Sequence, residues 1–197
     1  MQRTKLEYHN HFTVRKMVIA AMFSSISIFL GITGLGFIKI PPVNATIMHV
    51  PVIIAAILEG PLVGAIVGFI FGLFSIYQAV TMPTITSFIF LNPIIAILPR
   101  VLIALSAYYV YYFISIKYPR VSIAFSSIIG TFINTFLVLL LAYIFYAERL
   151  AYVFKINSST IGMFLAGIGF TNGIPEIIVS TLITLPVVLA INKIKKH

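Results

Sequence analysis

No cysteine and no aspartate occur in this chain of 197 residues. The first absence excludes disulfides, thiolate metal sites and cysteine nucleophiles. Acid is scarce altogether: Glu7, Glu59, Glu148 and Glu176 are the only acidic side chains. Charged residues make up 9% of the chain, against roughly 25% in soluble domains. Several motifs are missing too. Without G-x-x-x-x-G-K-[ST] the chain has no P-loop for ATP. Without H-E-x-x-H or G-x-S-x-G it has neither of two common hydrolytic centres, and its embedded ionisable groups do not form a nucleophile–base set. An enzyme is therefore a poor hypothesis. No cofactor site is read in the chain. No low-complexity tract or internal repeat stands out.

What is present is apolar. Hydrophobic residues are 60% of the chain, and mean hydropathy is +1.11. The fold class expected is an all-α integral membrane protein. One domain over 1–197 holds a bundle of five to seven spans, with no length left for a second domain. The net charge of +9 would suggest nucleic acid in a soluble protein. Here the basic residues cluster at span ends, which positive-inside topology explains better.

The stretch 44–72, NATIMHVPVIIAAILEGPLVGAIVGFIFG, shows the design. Polar Asn44, Thr46 and His49 precede a short apolar run, then comes a Glu59-Gly60-Pro61 turn. Gly60, Gly64, Gly68 and Gly72 recur every fourth residue, so they share one helix face where a neighbouring backbone can approach closely. A helix over 45–58 spans about 21 Å, short of a bilayer core of about 30 Å. It should begin inside the membrane, and the polar residues ahead of it should line a cavity or pack inside protein.

Six spans are expected, at about 17–37, 45–58, 61–79, 88–114, 121–146 and 161–191, after a basic arm over 1–16. The first lacks a small-residue cleavage site and is taken as a retained span. Pro41-Pro42 rules out helix between the first two. The region 147–159 is amphipathic and has room for a short helix. The last span is too long for one plain crossing, and T-N-G-I-P-E at 171–176 is expected to interrupt it. With both termini on one side, that side holds nine Lys and Arg residues and the other holds Lys39, Arg149 and Lys155. This places both termini in the cytoplasm.

Arg100 lies about eight residues into the fourth span, about 12 Å deep. A guanidinium there costs at least ~2.5–3.5 kcal/mol on insertion scales, so it should face the interior with a partner. Two readings stand: it binds an anionic ligand group, most naturally a carboxylate, or it neutralises Glu176 at a similar depth. Asn172, like Asn92 before Pro93, is either part of a discontinuous-helix site or of an ordinary kink. Asn134 shares a face with Thr131 and either meets ligand or bonds a neighbouring helix. Asn44, Thr46 and His49 are placed to close over a ligand, although a lone histidine is more often structural. Glu59 fits a solvated or capping role. Ala20, Ser24, Ser27 and Gly31 form a small-residue face that either packs within the bundle or docks a second membrane subunit.

These pieces together resemble the substrate-binding S components of energy-coupling factor (ECF) vitamin transporters. The resemblance rests on Ala20-Ala21 and Ser24-Ser25, A-T-I-M-H-V-P-V-I-I at 45–54, E-G-P-L-V-G-A-I-V-G-F-I-F-G-L at 59–73, L-P-R at 98–100 and T-N-G-I-P-E at 171–176. It implies a six-helix protein of the bacterial cell membrane that binds a vitamin from outside under its first loop. It also implies docking to a transmembrane coupling subunit served by two ATPases, which alone use ATP, and transport by toppling in the bilayer. The family's alanine-x-x-x-alanine docking pattern corresponds to Ala20-x-x-x-Ser24 or Ala21-x-x-x-Ser25. M-H-V-P and T-N-G-x-x-E are most similar to the pantothenate branch. For that vitamin, Arg100 would take the carboxylate and Asn92, Asn134 and Asn172 the remaining polar groups, with Glu176 beside them. Another vitamin or precursor (riboflavin, folate, hydroxymethylpyrimidine) or a non-binding structural subunit are the alternatives. A stand-alone carrier would call for an inverted repeat, which the chain does not display.

Overall fold

The computed structural model describes residues 13–38 and 44–194. Expectations for 1–12, for Lys39 and Pro41-Pro42, and for Lys195 and Lys196 lie outside the described residues. The element order is α1 (Val14–Thr33), β1 (Phe37–Ile38), β2 (Ala45–Thr46), α2 (Val50–Glu59), α3 (Pro61–Thr81), α4 (Ser87–Phe90), α5 (Pro93–Ser115), α6 (Pro119–Phe154) and α7 (Ile161–Ile194). Helix dominates because a chain in lipid must satisfy its backbone groups within each segment. Proline sets the starts: α2, α3, α5 and α6 each carry one in the first two positions, where its missing N–H costs nothing. Glycine sets two of the stops. Gly34 ends α1 with φ 73, and Gly60 turns the chain between α2 and α3 with φ 100, conformations that other residues rarely adopt.

Five helices, α1, α3, α5, α6 and α7, are long and apolar enough to cross a membrane. The sixth segment, α2, has 10 residues, or about 15 Å. It is the centre of the bundle. Residues 50–57 are all buried, and α1, α3, α5, α6 and α7 all pack against it. With no polar face, it suits a position surrounded by other helices. Between helices in lipid the attraction comes from close packing, not from escape from water. The glycine face of α3 provides it. A Cβ at Gly68 would strike the Arg100 carbonyl oxygen, one at Gly72 would come within 2.8 Å of the Ala96 carbonyl oxygen, and one at Gly64 within 2.5 Å of the Ala56 Cβ. The groove expected from spacing is thus filled by the backbones of α5 and α2.

The structure differs from the sequence expectation at five places. The first span ends at Thr33 rather than at 37, because Gly34 turns the chain and Phe37 pairs in β1. Residues 45–46 are not helical. Ala45 and Thr46 pair antiparallel with Ile38 and Phe37, and α2 starts later, at Val50, with His49 as its cap residue. The fold is therefore all-helical except for this two-stranded ribbon. The 88–114 segment divides at Asn92-Pro93, because proline disfavours helix at the residue before it. The Asn92 side chain accepts from the Ile94 N–H at 3.0 Å and caps α5. The 121–146 segment runs on to Phe154 after a kink at Tyr146 (φ −138, ψ 20), so the amphipathic 147–154 portion is helical. Finally, α7 runs through T-N-G-I-P-E without interruption, with Pro175 and Pro186 inside it. Pro175 removes one N–H, and a membrane helix held by its neighbours tolerates that loss.

Candidate functional site

A cavity of about 370 Å³ opens at the ribbon end of the bundle, within the range of about 300–1,000 Å³ common for small-ligand sites. Asn44 just before the second ribbon strand and Thr46 within it, Phe71, Ser75 and Gln78 of α3, Thr84, Ser87 and Phe90 of the α3–α5 connection, and Arg100 of α5 all line it. Local bonds fix these walls. The Ile47 N–H donates to Gly36 O at 2.9 Å, Ser27 Oγ to Met48 O at 3.2 Å, and Gln78 Nε2 to Gly31 O at 3.2 Å. They hold the ribbon, α1 and α3 around the opening. A larger groove of about 450 Å³ lies between α6 and α7. Its lining is almost wholly apolar, with Thr135 and Tyr143 the only polar side chains, so it has no ionic group to orient a polar solute.

Arg100 is buried to 6% exposure. Its Nη1 donates to Ile95 O at 3.0 Å, while Nε is buried without a hydrogen-bond partner. The guanidinium carbon lies 5.3 Å from the Phe71 ring centre and 5.1 Å from that of Phe90. Glu176 is within electrostatic range, but among the described residues no carboxylate forms an ion pair with Arg100. The ion pair seen among the described residues, Arg15 with Glu59 at 3.1 Å, is at the opposite end of the bundle. Both Glu176 oxygens are taken elsewhere: Oε1 accepts from the Thr46 N–H and Oε2 from Thr135 Oγ1 at 2.7 Å. Arg100 is thus a cation at the cavity wall with donors to spare.

The predicted site residues divide into three groups. Asn44, Thr46 and Arg100 meet at the cavity. His49, Asn134, Asn172 and Glu176 are buried behind it. In this second group His49 Nε2 bonds Thr131 Oγ1 at 2.9 Å, and Asn134 Oδ1 is buried without a partner. The seam continues along α6 and α7 through Ser127 and Ser180, 2.7 Å apart. Thr46 joins the two groups, with its residue on the cavity and its N–H on Glu176. Asn92 stands apart as the α5 cap.

A family model described as "ECF transporter, substrate-specific component" matches residues 15–188. The chain belongs to this family. It is also 31% identical, over 170 residues, to the pantothenic acid transporter PanT of Lactococcus lactis subsp. cremoris (strain MG1363), covering 79% of this chain and 82% of that protein. As an S component the chain is a multi-pass membrane protein of a transport family, and family membership points to transport rather than catalysis.

The S-component family gives the first helix particular interest. On α1 the small residues divide by burial. Ala20 and Ser24, with Ser27 and Gly31, face the bundle. Ala21 and Ser25 face outward among exposed Val18, Met22 and Phe29. The second register is exposed, and the first is covered by the chain's own helices. The sequence reading missed Phe71, Ser75, Gln78, Thr84, Ser87 and Phe90. Gln78 carried a usable signal: it is a lone amide within the apolar run of α3. The phenylalanines carried none, being two of 17 in the chain.

Proposed function

We propose that this S component is the high-affinity vitamin-binding subunit of an ATP-driven ECF importer, that its vitamin is pantothenate, and that it takes the vitamin from outside. The observation that carries the reading is the Arg100 guanidinium at the cavity wall, with no ion-pair partner among the described residues. A planar fork of donors suits a carboxylate, and pantothenate has one, together with hydroxyls and an amide for Asn44, Ser75 and Gln78. The printed name of the Lactococcus relative supports the same vitamin. The cavity, near the low end of the usual size range, favours a compact acid over a folate-sized one.

In this proposal α2 is the sixth membrane-inserted helix, and both termini are cytoplasmic. The ribbon then faces outward, and the Arg15–Glu59 pair lies at the cytoplasmic end. The nine-to-three distribution of Lys and Arg supports that orientation. The chain itself uses no cofactor. ATP is used by two partner ATPases, reached through a transmembrane coupling subunit that docks on the Ala21/Ser25 face of α1.

The test is titration of the purified protein with pantothenate, alongside mass spectrometry of the small molecules that co-purify. Arg100→Ala should weaken binding at least about 30-fold, the loss expected when one partner of a buried charge pair is removed. Unchanged affinity in the variant would remove the carboxylate from Arg100. Absence of pantothenate binding by the unmutated protein would overturn the choice of vitamin.

A further inference from the structure

Resting on the reading of Arg100 as the carboxylate site, we infer that Phe71 and Phe90 are positioning residues. Together they form an aromatic clamp that stabilises the Arg100 cation in place of a protein carboxylate and so keeps its donors available for an anionic ligand. The buried cation poses a problem of its own. Arg100 is at 6% exposure in an apolar bundle, where a charge needs compensation. The common solution is an ion pair, and a paired guanidinium would have its donors occupied by the chain's own acid. Here the nearby acid, Glu176, is held by Thr46 and Thr135 instead. One Nη1 proton goes to the Ile95 carbonyl; beyond that bond, what meets the guanidinium is two ring faces, at 5.3 and 5.1 Å. An aromatic face attracts a cation through its quadrupole and supplies no hydrogen-bond acceptor in competition with a ligand.

The chain invests local structure in this arrangement. Phe71 is 3% exposed, fixed on α3 one residue before Gly72, where α3 lies against the backbone of α5. Phe90 ends the four-residue α4. Before it, Thr84 N–H donates to Ser87 Oγ at 2.7 Å and the two hydroxyls lie 2.9 Å apart. After it, the Asn92 cap starts α5 afresh. The break at Asn92-Pro93 allows the connection to fold back, so that Phe90 lies over a residue ten positions further along the chain. Asn92 thereby serves the site through Phe90.

The experiment uses the full chain in detergent with two ligands, pantothenate and its neutral alcohol analogue panthenol, in competition titrations. Phe90→Leu should weaken pantothenate about 3- to 10-fold, within the range of a partly desolvated cation–π contact, and weaken panthenol less, because panthenol shares the wall contact but has no carboxylate for Arg100. Phe90→Tyr keeps the ring and should restore pantothenate binding. Equal weakening of both ligands by Phe90→Leu, or failure of Phe90→Tyr to recover, would reduce Phe90 to an ordinary wall residue and overturn the clamp. A ligand-free measurement separates this inference from the vitamin reading. In protein labelled with ¹⁵N-arginine, the Arg100 Nε–H resonance, assigned by its loss in Arg100→Lys, should be displaced by ring currents and should move in Phe90→Leu. If it moves while the unmutated protein binds no pantothenate, the vitamin reading fails and the clamp stands. If it does not move, the clamp fails whatever the ligand.

Discussion

Glu176 is the residue whose sequence-based role changes most once its partners are known. By depth alone it was a candidate counter-ion for Arg100. Both of its oxygens instead accept from other groups, one from the ribbon backbone at Thr46 and one from Thr135. A carboxylate accepting two donors in a buried setting holds both in place. Its expected effect is therefore on the ribbon. Glu176→Ala should speed hydrogen exchange at the Thr46 amide by about 10- to 100-fold, the equivalent of one hydrogen bond to a charged group. Glu176→Gln, which keeps an acceptor, should fall between that variant and the unmutated protein. Equal rates in all three would show that the ribbon is held by other contacts. Arg100 was legible as an embedded cation because charge in an apolar run is unmistakable. Which atoms compensate it was not, since Phe71 and Phe90 look like any other apolar residue in a membrane sequence.

At the scale of elements, periodicity was informative and local breaking signals were less so. The four-residue glycine spacing correctly identified the α3 face that meets a neighbouring backbone. Pro61 stands at the start of α3, as the expected bounds of the third span had it, whereas Pro51, Pro93 and Pro119 stand at the starts of α2, α5 and α6, at places the expected bounds did not use. The same reasoning overestimated the T-N-G-I-P-E sequence, because one proline in a helix supported on several sides removes one hydrogen bond without breaking the rest. It also extended α2 over Ala45 and Thr46, whose strand pairing with β1 depends on residues not adjacent in sequence. The glycine face permits a sharp comparison. Gly68→Ala would drive a methyl into the Arg100 carbonyl, whereas a Cβ at Gly167 meets nothing within 4 Å. Gly68→Ala should cost about 1–3 kcal/mol, the usual penalty of overpacking, and should shift the backbone that carries Arg100. Gly167→Ala should cost nothing measurable. Thermal unfolding of the two variants in the same detergent checks this. Equal midpoints would show that α3 and α5 can separate without loss.

At the scale of the whole molecule, the two faces of one helix meet different surroundings. The inward face of α1 carries Ala20, Ser24, Ser27 and Gly31, and Ser27 reaches the backbone just before α2. The outward face carries Ala21 and Ser25, a shallow notch among larger exposed side chains. Sequence spacing could not choose between these registers, because both pairs are small and four residues apart. Burial separates them: a bundle cannot offer a partner a face that its own helices cover. Bulk at the two registers should therefore have different consequences. Ala21→Leu should leave pantothenate affinity within about twofold, because it touches no wall of the cavity, yet block co-purification with the coupling subunit and stop uptake in cells. Ser24→Leu should act inside the bundle. It would overpack a position at 4% exposure, with a loss of thermal stability of the overpacking order, about 1–3 kcal/mol, that precedes any effect on assembly. Co-purification, ligand titration and unfolding of both variants distinguish the cases. If Ala21→Leu assembles normally while a stably folded Ser24→Leu does not, docking uses the inward register, and α1 must rotate or separate from the bundle when the importer forms.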